Sequence, residues 1–194
     1  MTAEIAHPWP VPPQDGYTVD DLLTLPDLPP HTELIDGSLV FVSPQREFHA
    51  LVMYLLERDL RATVPAELRV RREMTVVIDK RNGPEPDICV VRAGAVRSLE
   101  QTYFQVRDVL LAVEVVSPGS ESRDRDTKPH KYAAAGIPYF WRVEMAGTDR
   151  QPVVHVFELD KETRTYAPTG TYCDTLKLSV PFDIDIDLTE INQL

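Results

Sequence analysis

The sequence contains few cysteines and no long hydrophobic run. Its two cysteines, Cys89 and Cys173, belong to no CxxC pair, and two are too few for a disulfide framework. No apolar run approaches the roughly 18 residues that a membrane-spanning helix requires. The first residues are acidic and interrupted by proline, unlike a signal peptide. We therefore expect a soluble cytoplasmic protein that does not contact a membrane.

Basic residues are also scarce. Lys and Arg number 20 against 31 Asp and Glu, which gives a net charge of −11 at pH 7. Because nucleic-acid-binding proteins hold phosphates with Lys and Arg, this charge speaks against a nucleic-acid partner. Two basic clusters, within residues 58–72 and 123–131, are local exceptions. Solvated surfaces with salt bridges explain such clusters equally well.

Length and composition predict one globular domain. The chain has 194 residues, of which 43% are hydrophobic and 26% charged. A domain of this length buries roughly 70% of the surface of its extended chain, so it needs no metal or disulfide to fold. Any metal that it binds is then expected to serve catalysis. Residues 1–16 contain four prolines and predict an extended arm. Residues 17–194 are predicted to form the single domain.

Local signals predict the order of helices and strands. Thr18 is a candidate N-cap for a short helix, and Asp36-Gly37 predicts the turn of a hairpin. Leucines at helical spacing predict a long helix over residues 45–63, and the alternating stretch 67–78 predicts apolar side chains on one side of a strand. From that helix onward the order is helix, strand, strand, strand, helix, strand, followed by antiparallel strands. This order predicts an α+β fold with a mixed central sheet.

Two carboxylates stand where surface residues are not expected. Glu114 interrupts the apolar run Val109–Val116, and Asp87 opens another apolar strand directly after Pro86. A buried carboxylate without a partner costs several kcal/mol by order of magnitude, so each is expected to face an arginine, a lysine or a metal. Alone, each is more readily explained as a strand-end turn residue or an ion-pair partner than as a metal ligand. Together at the ends of neighbouring strands they would suit a hard cation such as Mg²⁺.

The order of these residues resembles the motif of the PD-(D/E)XK nuclease superfamily. Pro86-Asp87 comes first, Glu114 follows on its strand, and the next helix carries Lys128. The hairpin ELIDGSLV and the string EVVSPGS, RDRDTK and KYAAAGIPYFW resemble more closely its Uma-type restriction endonuclease family, over roughly residues 17 to 190. The superfamily pattern has a lysine two residues after the glutamate, where this chain has Val116. In the family that the chain resembles, the lysine comes from the following helix, at Lys128.

Pro129 restricts where Lys128 can lie. Proline is tolerated in the first turn of a helix, so Lys128 is predicted to stand at or near the helix start, from which it can turn back toward the strand ends. Tyr132 follows at i+4 and is expected to share its face of the helix.

The resemblance implies a restriction-endonuclease-like core and metal-dependent hydrolysis of phosphodiester bonds in nucleic acid, with DNA as the expected substrate. It implies that Asp87, Glu114 and the main-chain carbonyl of Val115 bind Mg²⁺ or Mn²⁺, and that Lys128 orients or deprotonates the attacking water. Supporting roles fall to four further residues: Glu33, His49, Tyr132 and Arg123. Glu33 would hold a second metal or a water, or would be a hairpin surface residue. His49 would be a hydrogen-bonded support, and Arg123 would contact phosphate.

Two alternatives remain open on the sequence. The chain could be a nuclease fold used for binding without catalysis, which the charge of −11 favours. It could instead be a dimeric interaction protein that pairs through its C-terminal strands. For the nuclease interpretation a homodimer is also expected, because cutting duplex DNA requires access to both strands and two-fold pairs are the commonest soluble oligomers.

Overall fold

A six-stranded mixed sheet lies at the centre of the fold. The computed structural model describes residues 11–42, 44–147 and 150–194. Residues 1–10 of the predicted arm lie outside that range, and residues 11–16 adopt neither helix nor strand. The helices are α1 (Val19–Thr24), α2 (Glu47–Thr63) and α3 (Lys128–Ala135). The strands are β1 (Glu33–Ile35), β2 (Ser38–Val40), β3 (Leu68–Arg72), β4 (Thr75–Val77), β5 (Ile88–Arg92), β6 (Tyr103–Gln105), β7 (Val109–Val115), β8 (Tyr139–Ala146), β9 (Gln151–Asp160), β10 (Thr165–Tyr172), β11 (Thr175–Leu178) and β12 (Ile184–Asp187).

The strand order of the central sheet is β10-β9-β8-β7-β5-β3. Strands β7 and β8 are parallel, and every other neighbouring pair in this sheet is antiparallel. A parallel pair needs a crossover connection, which α3 supplies between β7 and β8. The order α2, β3, β5, β7, α3, β8 confirms the predicted α+β fold with a mixed sheet.

Both faces of the sheet are covered. Helix α2 and the C-terminal strands β11 and β12 pack on one face, where Val113 and Val115 of β7 point. Helix α3, with β4 and β6, covers the other face, where Ala112 points. Because β7 is buried on both faces, its sequence is apolar almost throughout. Glu114 is the one charged residue in this strand, and it faces α3.

Local signals in the sequence agree with the structure at one hairpin turn and at two helix ends. Thr18 caps α1 in a reciprocal capping box with Asp21. Asp36 and Gly37 have φ of 51° and 79°, as the two-residue hairpin between β1 and β2 requires. Gly136 ends α3 with φ of 91°, in the left-handed conformation that glycine adopts without a steric penalty.

The stretch 67–78 does not form one strand with a single apolar side, so that prediction is wrong. Glu73 adopts a left-handed conformation (φ 51°), and its amide donates to the carbonyl of Asp87. The chain therefore turns out of the central sheet after β3, and β4 pairs with β6 instead. As a consequence Val70 and Val76 pack in different hydrophobic clusters, on opposite faces of the sheet.

Helix α3 begins at Lys128, but a π-helical turn over Arg123–Thr127 precedes it without a break. The amide of Lys128 donates to the carbonyl of Arg123, five residues back. Lys128 is thus the first residue of the regular helix, as Pro129 predicts, yet it lies inside a longer helical segment. The wider turn explains how a proline follows helical residues here.

No helix within residues 11–42, 44–147 and 150–194 has the length and apolar character needed to cross a membrane.

Candidate active site

Two neighbouring strands bring the predicted acidic residues together. Strand β5 runs antiparallel to β7, so the start of β5 lies beside the end of β7. The register pairs Ile88 with Val113, and one residue further it brings Asp87 alongside Glu114. The amide of Val115 donates a hydrogen bond to Asp87 Oδ2. The sheet itself therefore holds Asp87 against the end of β7.

His49, in the first turn of α2, holds the other oxygen of Asp87. Its Nε2 lies 3.0 Å from Asp87 Oδ1, and the histidine side chain is 5% exposed. Because the carboxylate accepts, Nε2 carries the proton in this contact. Nδ1 is itself buried and has no hydrogen-bond partner among the described residues. His49 thus fixes the position of Asp87.

Lys128 is a buried cation surrounded by carboxylates. Its Nζ lies 2.7 Å from Glu33 Oε1, 2.9 Å from Glu114 Oε2 and 3.6 Å from Asp124 Oδ1. Its side chain is only 5% exposed, and those of the three carboxylates are 2% exposed or less. One positive charge therefore faces three negative ones in a region from which water is largely excluded.

Tyr132 completes the contacts of Glu114. Its hydroxyl donates to Glu114 Oε1 at 2.6 Å, one helical turn beyond Lys128. Burial and the nearby Glu114 raise the pKa of Tyr132 well above its usual value, so the hydroxyl keeps its proton. Both oxygens of Glu114 thus accept from α3, and both oxygens of Asp87 accept from β7 and α2.

Burial and the neighbouring charges shift the pKa values of Glu114, Asp124 and Lys128. Burial raises the pKa of Glu114 well above its usual value, although Lys128 opposes this. Burial raises the pKa of Asp124 to about 6, again against the effect of Lys128. Burial alone would lower the pKa of Lys128, but Glu114, Glu33 and Asp124 outweigh burial and raise it. The cluster thus keeps its lysine charged, while full ionisation of Glu114 and Asp124 would be favoured by a further cation.

The structure adds Asp124 to the predicted site residues. Asp124 is 2% exposed and stands four residues before Lys128, in the π-helical turn. The i,i+4 spacing in RDRDTK was the available signal, but the sequence analysis selected only the neighbouring Arg123. Glu33 is also 2% exposed, so its interpretation as a hairpin surface residue is wrong.

A second group of residues not selected from the sequence lies at the same pocket. His31 Nδ1 is 2.6 Å from Glu85 Oε1 and 3.9 Å from Glu73 Oε1. The amide of Glu85 in turn donates to Glu33 Oε1 at 2.8 Å. Glu85 precedes Asp87 by two residues, and this proximity in sequence was its only signal.

The basic residues are divided between the site and the surface. Arg123 and Lys128 line the pocket, and Arg123 Nε has no hydrogen-bond partner among the described residues. Arg125 instead pairs with Glu121 and Glu144, and Lys131 pairs with Asp36. In the 58–72 cluster three arginines pair with acidic residues, namely Arg58 with Asp59 and Glu190, Arg61 with Glu57, and Arg72 with Glu73. Much of the basic charge is therefore already neutralised by ion pairs.

The site is a small acidic pocket of about 40 Å³. Against Arg123 and Lys128 it carries six carboxylates: Glu33, Glu73, Glu85, Asp87, Glu114 and Asp124. A single water requires a cavity of roughly 10–15 Å³, so the pocket admits an ion or a few waters but no nucleotide.

The donor set of this pocket fits a hard divalent cation. Its ligands are oxygens, which Mg²⁺ prefers, and its surplus negative charge is what such an ion would neutralise. Each carboxylate oxygen of Asp87 and Glu114 accepts one hydrogen bond and retains a further lone pair. Within the described part of the chain, no group of three or more His, Cys, Asp or Glu side chains could hold a metal ion. An ion here would be held by one or two carboxylates and would keep several waters, as Mg²⁺ commonly does.

The mixed sheet, the acidic pair at adjacent strand ends and the lysine on the following helix define a protein of the PD-(D/E)XK nuclease fold. A solved structure supports this fold. It is described as a "putative nuclease belonging to DUF820" from Anabaena variabilis, and it superposes with a TM-score of 0.66 at 16% sequence identity, over 91% of this chain and 97% of that chain. The family model Uma2, "Putative restriction endonuclease", matches residues 19–189. The chain belongs to this family. No curated protein sequence matches it.

Proposed function

We propose that this protein is a metal-dependent endonuclease that hydrolyses phosphodiester bonds in DNA. Membership of a restriction endonuclease family supports a nuclease activity. The observation that carries the proposal is the meeting of Asp87, Glu114 and Lys128 in one small pocket at the strand ends. A purely structural ion pair would need one carboxylate for one lysine, whereas this pocket has a carboxylate excess that calls for a cation.

Asp87, Glu114 and the main-chain carbonyl of Val115 would hold Mg²⁺ or Mn²⁺. When bound, such an ion lowers the pKa of a coordinated water and stabilises negative charge on a phosphate. His49 keeps the Asp87 carboxylate in one orientation, and Tyr132 does the same for Glu114. These two contacts fix the ligand oxygens before an ion arrives.

Lys128 contributes positive charge where the phosphate would meet the pocket. As an ammonium it donates hydrogen bonds and accepts none, so we assign it the orientation of water and the stabilisation of phosphate charge. Glu33 and Asp124 can keep Lys128 in place when Glu114 engages an ion. Arg123 lines the same pocket, and its guanidinium would supply a second positive group for the phosphate.

Cleavage assays test this proposal directly. Supercoiled plasmid, single-stranded DNA and RNA are incubated with the protein in Mg²⁺, in Mn²⁺ and in EDTA. We expect DNA cleavage that requires the ion and that is lost in Asp87→Asn. The control is Asp185→Asn, which removes an exposed carboxylate paired with Lys177. A protein that binds DNA but cuts no substrate with either ion would support the non-catalytic alternative and overturn the proposal.

A further inference from the structure

A second concavity lies directly beside the acidic pocket. Its volume is about 160 Å³, and it shares His49 and Ser117 with the pocket. Apolar atoms of Phe48, Pro118 and Met145 form much of its wall. We call this concavity the side groove. It continues the pocket along the protein surface, so a polymer that reaches the pocket can also reach the side groove.

Because the acidic pocket is small, the sugar and base of a bound nucleotide must lie outside it. At about 40 Å³ the pocket has room for an ion and water. A nucleotide whose phosphate sits at its mouth must place its sugar and base elsewhere. The side groove is smaller than the roughly 300 Å³ at which pockets for small molecules begin, so its size suits a single ring system.

The wall of the side groove has the chemistry of a base-stacking platform. Phe48 is partly buried and packs against the main hydrophobic core, which holds its ring in place. Met145 also lines the groove and is 40% exposed, and its soft thioether suits contact with an aromatic ring. Stacking on an aromatic ring is how proteins commonly bind unpaired bases without reading their sequence.

Polar groups at the side groove also point to a nucleotide. Arg46 lines the groove and makes no ion pair within the described residues. Arg125, by contrast, is paired with Glu121 and Glu144 in the same wall. An unpaired arginine in the wall suits the phosphate next along the strand.

We propose that the side groove binds the unpaired base of the nucleotide that adjoins the scissile phosphate. A base within a duplex is stacked and paired, so it enters such a groove only if the strand is single or locally opened. The preferred substrate is therefore a nucleic-acid strand that is unpaired at the cut. This inference rests on the proposed nuclease function.

Binding to a cleavage-deficient protein tests the inference apart from catalysis. An oligonucleotide with one 2-aminopurine is titrated into Asp87→Asn, and its fluorescence is compared with that of the same sequence in a duplex. We expect the single strand to bind more tightly and its fluorescence to be quenched by stacking. Adding Phe48→Leu or Met145→Glu should weaken single-strand binding by about 10-fold, since stacking contributes roughly 1–3 kcal/mol per base. The control is Tyr54→Ala, an aromatic of the same helix that is 50% exposed and outside the groove.

The outcomes separate this inference from the proposed function. Single-strand binding that is unchanged in both groove variants, or matched by the duplex, would overturn the inference even if DNA is cleaved. Binding that depends on Phe48 and Met145 in a protein that cleaves nothing would support the groove and overturn the nuclease proposal. Met145→Glu keeps the test valid if Phe48→Leu disturbs the core, because Met145 is exposed.

Discussion

Lys128 Nζ and Glu33 Oε1 lie 2.7 Å apart, and through this buried ion pair helix α3 meets the first hairpin. Glu114 joins the same ammonium from the central sheet, at 2.9 Å. A single lysine thus ties three separate parts of the fold together at the candidate active site. This arrangement makes Lys128 important for stability as well as for the proposed chemistry.

Replacement of Lys128 by methionine should destabilise the protein strongly. It would leave Glu33, Glu114 and Asp124 buried without their cation, and breaking a buried ion pair in this way typically costs about 3–5 kcal/mol. Urea unfolding in EDTA measures the loss. Lys177→Met is the matched control, since its side chain is 76% exposed and pairs with the exposed Asp185. A loss no larger than that of the control would show that the buried carboxylates are neutral without metal.

Replacement of Glu114 by glutamine should have the opposite effect in the metal-free protein. Three carboxylates surround one ammonium, so removing one negative charge relieves repulsion, and the amide oxygen can still accept from Lys128 or Tyr132. We expect the melting temperature in EDTA to be unchanged or higher, with stabilisation by Mg²⁺ lost. A clearly lower melting temperature would mean that Glu114 acts as a structural ion-pair partner.

Metal addition should raise the melting temperature of the wild-type protein. An ion that binds only the folded state stabilises it by RT ln(1 + [L]/Kd), about 2.7 kcal/mol at one hundred times Kd. Thermal scans with Mg²⁺ and Mn²⁺ should therefore show a shift that depends on ion concentration. The shift should vanish in Asp87→Asn and persist in Asp185→Asn. Equal shifts in both variants would place the ion elsewhere.

The nuclease proposal also leads us to expect a homodimer whose two-fold axis presents one pocket to each DNA strand. In such a pair each strand would be opened locally at its own pocket. Light scattering across a concentration series measures the oligomer, and cleavage at rising salt measures the phosphate contacts. Binding should be weak because few basic residues are available, and activity should fall steeply with salt, with a slope set by the number of phosphates neutralised. A strict monomer that cuts duplex DNA equally well at low and high salt would contradict this expectation.

The outer strands of the sheet bear on how such a dimer can form. Strand β3 is one edge and carries Arg69 and Arg71, while β10 is the other edge and has a bulge between Pro168 and Gly170. Charges, proline and bulges at edges discourage the addition of another strand. These features argue against a dimer that extends the central sheet across β3 or β10, and pairing through the C-terminal strands in another way stays a prediction.

The sequence predicted the parts of the site that local patterns encode. Asp87 and Glu114 stood out because a charge beside or within an apolar strand is unusual, and Pro129 limited the position of Lys128. The i,i+4 spacing from Asp124 to Lys128 was visible in the sequence, but the burial of Asp124 depends on a π-helical turn that the sequence does not signal. The break at Glu73 was missed for a similar reason, since a glutamate with positive φ is rare and depends on the tertiary hydrogen bond to Asp87.

The π-helical turn over Arg123–Thr127 has a consequence for how this segment tolerates change. A π turn carries one residue more than an α turn, so it rotates everything before it by about 100° relative to an uninterrupted helix. The exposed side chains at 122, 125 and 126 can vary freely without altering that angle. Removing a single residue between Asp124 and Lys128 would instead bring the two to i,i+3 and rotate the segment before the deletion, while leaving Lys128 and Tyr132 aligned. In this segment the number of residues matters more than their identity. Insertions and deletions are expected to change its geometry, whereas substitutions at the exposed positions are not.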